Sequence, residues 1–328
     1  MNTITLRGLR AAAHFSHRPI KSSKYTLKPS LALLQLRHAS SASTLALKPI
    51  PPSPHKPSDI NGPLTTLPPL LDLPTRAHGQ GLPSYLFALG KSYVKFYKTG
   101  VWSIWTNYQL SRAIKTRLSS SNTSLKEAVQ NWSITRSEFQ LLYRNKHDIK
   151  RVPAFALVLM ICGEFTPLIV IAFSAVVPWT CRIPKQIDSD RRKLEERRSE
   201  SFRELTSLPP PSRLGVGAAA VEKLDKWELR HINSSLGLSS KLWEWVFGPP
   251  EVLLKRKARQ RMGYLDMDDT LIKRAGGVGG LSEEEVRMAC VERGINVMGP
   301  SKESLKRTLD AWMKCREKVG METLLLTR

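Results

Sequence analysis

Residues 152–177 form a single, almost wholly apolar stretch, and this feature constrains the fold more than any other in the sequence. A helix needs about 20 apolar residues to cross the hydrocarbon core of a bilayer. Lys150 and Arg151 precede the stretch, and Pro178 and Trp179 close it. We therefore predict one transmembrane helix over residues 152–179. The alternative interpretation is a buried core helix of a soluble protein.

Glu164 lies in the middle of this apolar stretch, three residues before Pro167. An ionisable group in hydrocarbon costs at least about 2 kcal/mol, and such groups often serve the movement of ions or protons. The first hypothesis is therefore that Glu164 is a functional intramembrane acid. The alternative is a protonated carboxyl group, hydrogen-bonded to backbone that Pro167 leaves free. Because one span cannot enclose a polar path, transport would require partner proteins or a homo-oligomer, and self-association stays open.

The positive charge of the chain is concentrated in its first half. The sequence has 51 Lys and Arg against 28 Asp and Glu, and residues 1–58 contain no acidic residue at all. A segment that is rich in Arg and Ser and poor in acids is typical of a mitochondrial transit peptide. We predict a transit peptide over residues 1–40 and a Pro-rich linker over residues 41–83. A disordered basic tail is the alternative for the first segment.

Composition and cysteine spacing exclude several classes of protein. The four cysteines are widely separated and form no C-x-x-C pair, so neither a disulfide framework nor a zinc knuckle is indicated. A collagen, a coiled-coil rod and a multi-span transporter are excluded as well. No nucleophile–base pair, metal-ligand cluster or phosphate-binding loop stands out. The sequence thus predicts neither an enzyme nor a cofactor or metal site, and no small-molecule substrate is evident.

The regions on both sides of the apolar stretch have helical patterns. Residues 84–151 place aromatic side chains among cations, which favours an amphipathic helical segment at a membrane surface or against a partner, although core packing also explains it. Ser and Thr residues predict helix caps near residue 123. No alternation typical of strands appears at any length. The predicted fold class is therefore all-α, with a single membrane span and a helical domain over residues 182–328.

Five cations lie within seven residues in the C-terminal third of the chain. The cluster consists of Lys255, Arg256, Lys257, Arg259 and Arg261. On a helix such a cluster can bind the phosphates of a nucleic acid. Two alternatives are a solvated helix face and internal pairing with the nearby aspartates at 266, 268 and 269. These aspartates do not form a calcium-binding loop, because the glycine and glutamate that such a loop needs are missing.

A pair of short helices is predicted over residues 282–312. Ser282 and Glu285 have the spacing of a capping box, and Gly294 stands where a glycine often ends a helix. Ser301 is the expected cap of the second helix, which runs through Leu305, Leu309 and Trp312. The spacing is similar to that of small nucleic-acid-binding helical hairpins of the SAP type. The residues that surround Gly277 are interpreted as a turn or hinge.

Three stretches in this order resemble the mitochondrial inner-membrane LETM family. They are residues 134–153 leading into Glu164, residues 253–261 with Asp268 and Asp269, and residues 281–312. The resemblance covers about residues 90 to 315. It does not extend to the coiled coil and the EF-hand of the longest members, so a calcium-linked activity is not carried over.

The resemblance implies a helical matrix domain, similar in arrangement to 14-3-3 proteins, that binds mitochondrial ribosomes at the inner membrane. It also implies roles in membrane protein biogenesis and in cation homeostasis. The expected partners are the mitochondrial ribosome and the lipids of the inner membrane. Three function classes stay open: a ribosome receptor, supported by the cations at 255–261; part of a monovalent cation/proton exchanger, supported by Glu164; and a mitochondrial nucleic-acid-binding module, supported by the helical hairpin.

Overall fold

The architecture is helical throughout, as the sequence predicts. A computed structural model describes residues 59–76, 78–162, 176–207, 221–239, 243 and 248–327, all of which belong to one unit of the chain over residues 52–328. These described residues form α-helices and short 3-10 turns but no strand. The α-helices are α1 Leu82–Ser120, α2 Leu125–Gln130, α3 Arg136–Ile149, α4 Val152–Cys162, α5 Pro184–Ser207, α6 Lys226–Ser235, α7 Glu251–Arg274, α8 Glu283–Glu292, α9 Lys302–Lys318 and α10 Met321–Leu326.

Capping boxes fix the beginnings of α2 and α3. The hydroxyl groups of Ser124 and Thr135 accept hydrogen bonds from the backbone N–H groups of Glu127 and Glu138, and each glutamate returns a bond to the cap. This reciprocal arrangement satisfies N–H groups that have no partner inside a helix. The predicted caps in this region are thereby confirmed, and the boundary between the two short helices is explained.

The predicted membrane span is described at its two ends, residues 152–162 and 176–179, and these ends lie together. The backbone N–H of Trp179 donates to Oδ1 of Asp148 in α3 at 2.7 Å, whereas a single helical crossing would hold the two flanks about 30 Å apart. The prediction of one crossing by a single helix therefore does not fit the packing. Helix α4 covers residues 152–162, and Phe155 packs against Ile104 of α1 together with Val177 and Cys181. Residues 163–175, among them Glu164, lie outside the described residues, as do the transit-peptide residues 1–40. In the part of the chain that the structure describes, no helix combines the length and the hydrophobicity that crossing a membrane requires.

Helix α7 lies between two hydrophobic clusters. Its residues Leu254 and Leu265 contribute to a first cluster with α2, α3, α6 and α10, while Ile272 joins a second cluster with α8 and α9. Burying apolar surface from both sides is the main favourable contribution to such a packing. Helix α7 is therefore the element that connects the two parts of the core.

The helical hairpin of α8 and α9 is confirmed, with one correction. Gly294 has a φ of 80° after the end of α8, and the Ser301 hydroxyl accepts a bond from the N–H of Ser304. The predicted capping box of Ser282 and Glu285 is wrong, since the Ser282 side chain caps nothing. Its backbone N–H instead donates to Oδ1 of Asn61 at 2.7 Å. The Glu285 carboxylate is turned into the protein interior, where it meets arginines.

Residues 59–66 pack into the core although they belong to the segment that we predicted as a linker. Ile60 is 2 % exposed and contacts the second hydrophobic cluster, and Thr66 is equally buried. The carbonyl of Ile60 accepts a bond of 2.7 Å from Arg136. The predicted linker therefore includes, in spite of its Pro-rich composition, a segment that packs in the interior of the helical domain.

Candidate functional site

The sequence of α7 determines which of its side chains face outward. Pro250 precedes the helix, Glu251 lies in its first turn and Arg274 in its last, as the helix dipole favours. Leu254 and Ala258 are buried at a spacing of four residues, which fixes the rotation of the helix about its axis. The five predicted cations are thereby divided into an outer and an inner group.

The outer group consists of Lys255, Arg256 and Arg259, and we call it the outer cationic face. Nζ of Lys255 lies 2.6 Å from the Glu251 carboxylate. Arg259 pairs with Glu222, and the side chains of both these residues are more than half exposed. Arg256 is exposed, and no described residue forms an ion pair or hydrogen bond with it. Exposed ion pairs contribute about 0–1 kcal/mol, so phosphate groups can readily replace these carboxylates.

The inner group consists of Lys257 and Arg261, which hold the fold together. Nζ of Lys257 donates to the carbonyl of Leu238 at 2.9 Å. The Arg261 side chain is only 11 % exposed; it donates to the Tyr143 hydroxyl at 2.8 Å and lies 3.7 Å from Glu292. Burial opposes a high pKa of Arg261, but the nearby Glu292 and tyrosine side chains outweigh it and raise that pKa. The structure thus does not place all five cations on one surface.

The second half of α7 carries a buried ion network that the sequence analysis did not identify. Both oxygens of Asp268 accept charge-assisted hydrogen bonds, one from Arg136 at 2.8 Å and one from Arg293 at 2.7 Å, and all three side chains are at most 1 % exposed. Burial by itself would raise the pKa of Asp268, but the attraction of Arg136 and Arg293 outweighs it and lowers that pKa well below its usual range. Asp269 pairs with Arg293 as well.

Glu285 of α8 is the third acid of this network. It accepts two hydrogen bonds from Arg144, at 2.7 and 2.9 Å, and one from Arg136 at 2.9 Å. The backbone N–H of Gly62 donates to it at 3.1 Å. Burial would raise the pKa of Glu285, and the two arginines lower it instead. Three buried acids therefore face three buried arginines, which is the balance that charges in a dry interior need.

Other candidate sites of the sequence have structural roles or no described geometry. The imidazole of His231 is buried, with its ring nitrogens 3.0 Å from the Ser201 hydroxyl and 3.1 Å from the Leu325 carbonyl. Among the residues that the structure describes, no group of three or more His, Cys, Asp or Glu could hold a metal ion. Glu164 is not described, so its role stays a prediction.

Comparison with protein families identifies the domain that contains the outer cationic face. Residues 216–328 match the family model described as LETM1-like, RBD. This region of the chain is therefore a domain of the LETM1-like type. Residues 83–209 match a second model, the Pentamidine resistance factor domain. No curated protein and no solved structure matches the chain. The predicted resemblance is thereby confirmed for this domain, whose family is a mitochondrial ribosome-binding one and is not a known enzyme family.

The buried ion network joins the two matched regions. Arg136 and Arg144 belong to the region that matches the Pentamidine resistance factor domain, whereas Asp268, Glu285 and Arg293 belong to the LETM1-like region. A LETM1-like fragment cut at residue 216 would leave the buried acids Asp268 and Glu285 without two of their cations. The matched boundaries thus do not coincide with a boundary in the packing.

Proposed function

We propose that this LETM-type protein binds mitochondrial ribosomes at the inner membrane through the outer cationic face of α7. The observation that carries the proposal is the exposure of Arg256 and Arg259, with the partly buried Lys255 beside them, within the domain that matches the LETM1-like model. Ribosomal RNA offers dense rows of phosphates, and the release of their counterions supplies affinity without sequence specificity. The arginines add hydrogen bonds to single phosphates, in place of the one that Arg259 now makes with Glu222.

We further propose how the protein reaches the inner membrane and how it is attached and oriented there, as the resemblance to the LETM family implies. Residues 1–40 direct import, and the apolar segment over 152–179 anchors the chain in the inner membrane. The regions before and after this segment pack on each other through Arg136 and Asp268, so both lie on the matrix side, into which the helical domain, arranged like 14-3-3 proteins, projects. There it holds the ribosome close to the site where hydrophobic products enter the membrane. The protein is a binding module and not an enzyme. Carbonate extraction of mitochondria, with protease protection of the C-terminal domain, tests this setting.

The test of ribosome binding uses two variants of the full chain with matched charge. The first replaces Lys255, Arg256 and Arg259 by Gln, which keeps a similar helix propensity. The second replaces three exposed lysines of α9 in the same domain by Gln, namely Lys302, Lys314 and Lys318. Both variants lose three positive charges, so a difference between them reports on the position of the charge rather than on its amount.

Co-sedimentation with mitochondrial ribosomes over a range of salt concentrations is the measurement. For the α7 variant we expect weaker binding, with a salt slope that is flatter by about 0.7–0.9 for each phosphate that the variant no longer binds. The α9 variant should retain the slope of the wild type. If the α7 variant binds as well as the wild type at every salt concentration, the outer cationic face does not bind the ribosome.

The two other function classes have less support. A role as part of a cation/proton exchanger is supported only by Glu164. If Glu164 has this role, Glu164→Gln should abolish potassium-driven volume changes of mitochondria while ribosome binding persists. The interpretation of the hairpin as a nucleic-acid-binding module is weakened by the first turn of α8, which presents the acids Glu283 and Glu284 at the surface. Such a turn repels the phosphates that a nucleic-acid-binding hairpin would approach.

A further inference from the structure

One face of α1 presents large apolar side chains that contact no core of the described structure. Phe87, Val94, Val101 and Trp105 follow one another at intervals of seven, seven and four residues, which places them on one side of a helix. Phe87 is 77 % exposed and Trp105 is 53 % exposed, and the neighbouring Trp102 is 69 % exposed. A continuous exposed row of this kind marks an interaction surface rather than an ordinary solvated one.

The same face is cationic. Lys91, Lys95 and Lys98 are exposed between the apolar residues, and the whole of α1 contains no Asp or Glu. The opposite face of the helix is the buried one, with Phe96 and Ile104 among its residues. The outer side of α1 therefore combines an apolar row with a purely positive charge, and its complement is a surface that is apolar inside and negative outside.

The position of α4 agrees with such a surface. Phe155, in the first turn of α4, packs against Ile104, which is adjacent along the chain to Trp105. Further along α4, Met160 and Ile161 are apolar and more than 70 % exposed. The beginning of the segment that is expected to enter the membrane thus packs directly on the buried face of α1. Tryptophan and lysine are the side chains that prefer the boundary between lipid and water.

We propose that α1 lies on the anionic lipid surface of the membrane, with Phe87, Val94, Val101 and Trp105 inserted between the headgroups and Lys91, Lys95 and Lys98 bound to lipid phosphates. A protein partner for this face would need many acidic residues to pair with the lysines, together with an apolar groove. An anionic bilayer supplies both an apolar interior and a negatively charged surface. This inference rests on the membrane location proposed above but not on ribosome binding.

The experiment measures how close Trp102 and Trp105 come to lipid. The full chain is reconstituted into phosphatidylcholine vesicles with or without phosphatidylglycerol, each containing brominated lipids that quench tryptophan on contact. Subtracting the emission of the variant Trp102→Phe/Trp105→Phe from that of the wild type isolates the two tryptophans. Trp227 of α6 is also about half exposed, and the variant Trp227→Phe isolates it in the same way as a matched control.

We expect strong quenching of the Trp102/Trp105 signal in anionic vesicles, and much weaker quenching of Trp227. Replacing Lys91, Lys95 and Lys98 by Gln should lower the membrane-bound fraction of α1 by about fivefold for each lysine when binding is not saturated. Quenching of Trp102/Trp105 that is no stronger than that of Trp227 would overturn the inference, and so would equal quenching in neutral vesicles. Carbonate extraction of the same vesicles reports separately whether the chain is inserted at all.

Discussion

The two halves of α7 both carry charged side chains but use them in opposite ways. In the first half, Arg256 and Arg259 are exposed and at most weakly paired, so their charge is available to a partner. In the second half, Asp268 and Asp269 are buried and neutralised by Arg293 and its neighbours. A count of charges therefore does not separate a binding surface from a scaffold, whereas burial and pairing do.

The largest effect is expected when a charge is removed from the buried half of α7. Asp268→Asn leaves Arg136 and Arg293 with an uncompensated buried positive charge, and we expect a loss of about 3–5 kcal/mol in the free energy of unfolding. Asp266→Asn on the same helix is the control, because Asp266 is 62 % exposed and should contribute about 0–1 kcal/mol. Urea unfolding followed by circular dichroism measures both. Equal losses would contradict the distinction.

Acid should weaken the buried half selectively. The pKa values of Asp268 and Glu285 are lower in the folded protein than in the unfolded chain, so the unfolded chain binds more protons at low pH. The free energy that these carboxylates contribute is fully present above the ordinary pKa of Asp and Glu, about 4, and is lost progressively as the pH falls below it. Unfolding free energies measured between pH 7 and pH 3 should show this decline, and Asp268→Asn should reduce it. A decline of the same size in that variant would assign the acid sensitivity to other groups.

A smaller effect is expected from a methyl group next to the network. A Cβ at Gly62 would lie 2.5 Å from Nη1 of Arg144 and 2.9 Å from Oε1 of Glu285, two atoms that already bind each other. Gly62→Ala should therefore cost about 1–3 kcal/mol of stability through overpacking. Gly263→Ala is the matched control, since a Cβ at that exposed position of α7 meets nothing within 4 Å and should stabilise the helix by up to about 1 kcal/mol. Thermal unfolding of both variants is the measurement, and a destabilised Gly263→Ala would show that the overpacking argument misses the cause.

The finest test compares two arginines of the predicted cluster. Arg261→Gln removes a charged donor from Tyr143 and leaves Glu292 without a close cation, so a loss of about 1.5–3 kcal/mol in stability is expected. Arg256→Gln should change stability by less than about 0.5 kcal/mol and should reduce ribosome binding instead. Chemical unfolding and co-sedimentation are measured on the same preparations. Two variants with the same profile would show that the inner and outer groups are not distinct.

Much of the fold could be predicted from local signals in the sequence. The caps near residue 123, the hairpin that begins after Ser282 and the basic helix depend on spacings of three or four residues, which one chain segment shows by itself. The cations of the candidate site could be identified from the sequence for the same reason, because they lie close together along the chain. Their division into outer and inner groups was not, because it depends on Glu292 and Tyr143, which come from α8 and α3.

The buried ion network depends on contacts that local patterns do not carry. Arg136 and Asp268 are 132 residues apart, and only the packing of α3 on α7 brings them together. One signal was present nevertheless. Asp268 and Asp269 lie between Leu265 and Ile272 on the apolar side of α7, where unpaired acids would not be tolerated. An acid on the core face of a helix should therefore be read as one half of a buried pair.

The position of Gly62 has a consequence for the order in which the protein can form. Its hydrogen bond to Glu285 joins residues that are 223 positions apart, so the N-terminal partner of this contact exists long before the C-terminal one during synthesis or passage through a pore. Contacts of such high sequence separation slow folding, because the chain between them must be ordered first. Residues 59–66 can pack on α1 as soon as Asn107 has been made, because Asn107 bonds Thr65, but the contact of Gly62 with Glu285 waits until nearly the whole chain has arrived. The arrival of α8 then completes a site that the N-terminal segment and α3 have already formed in part.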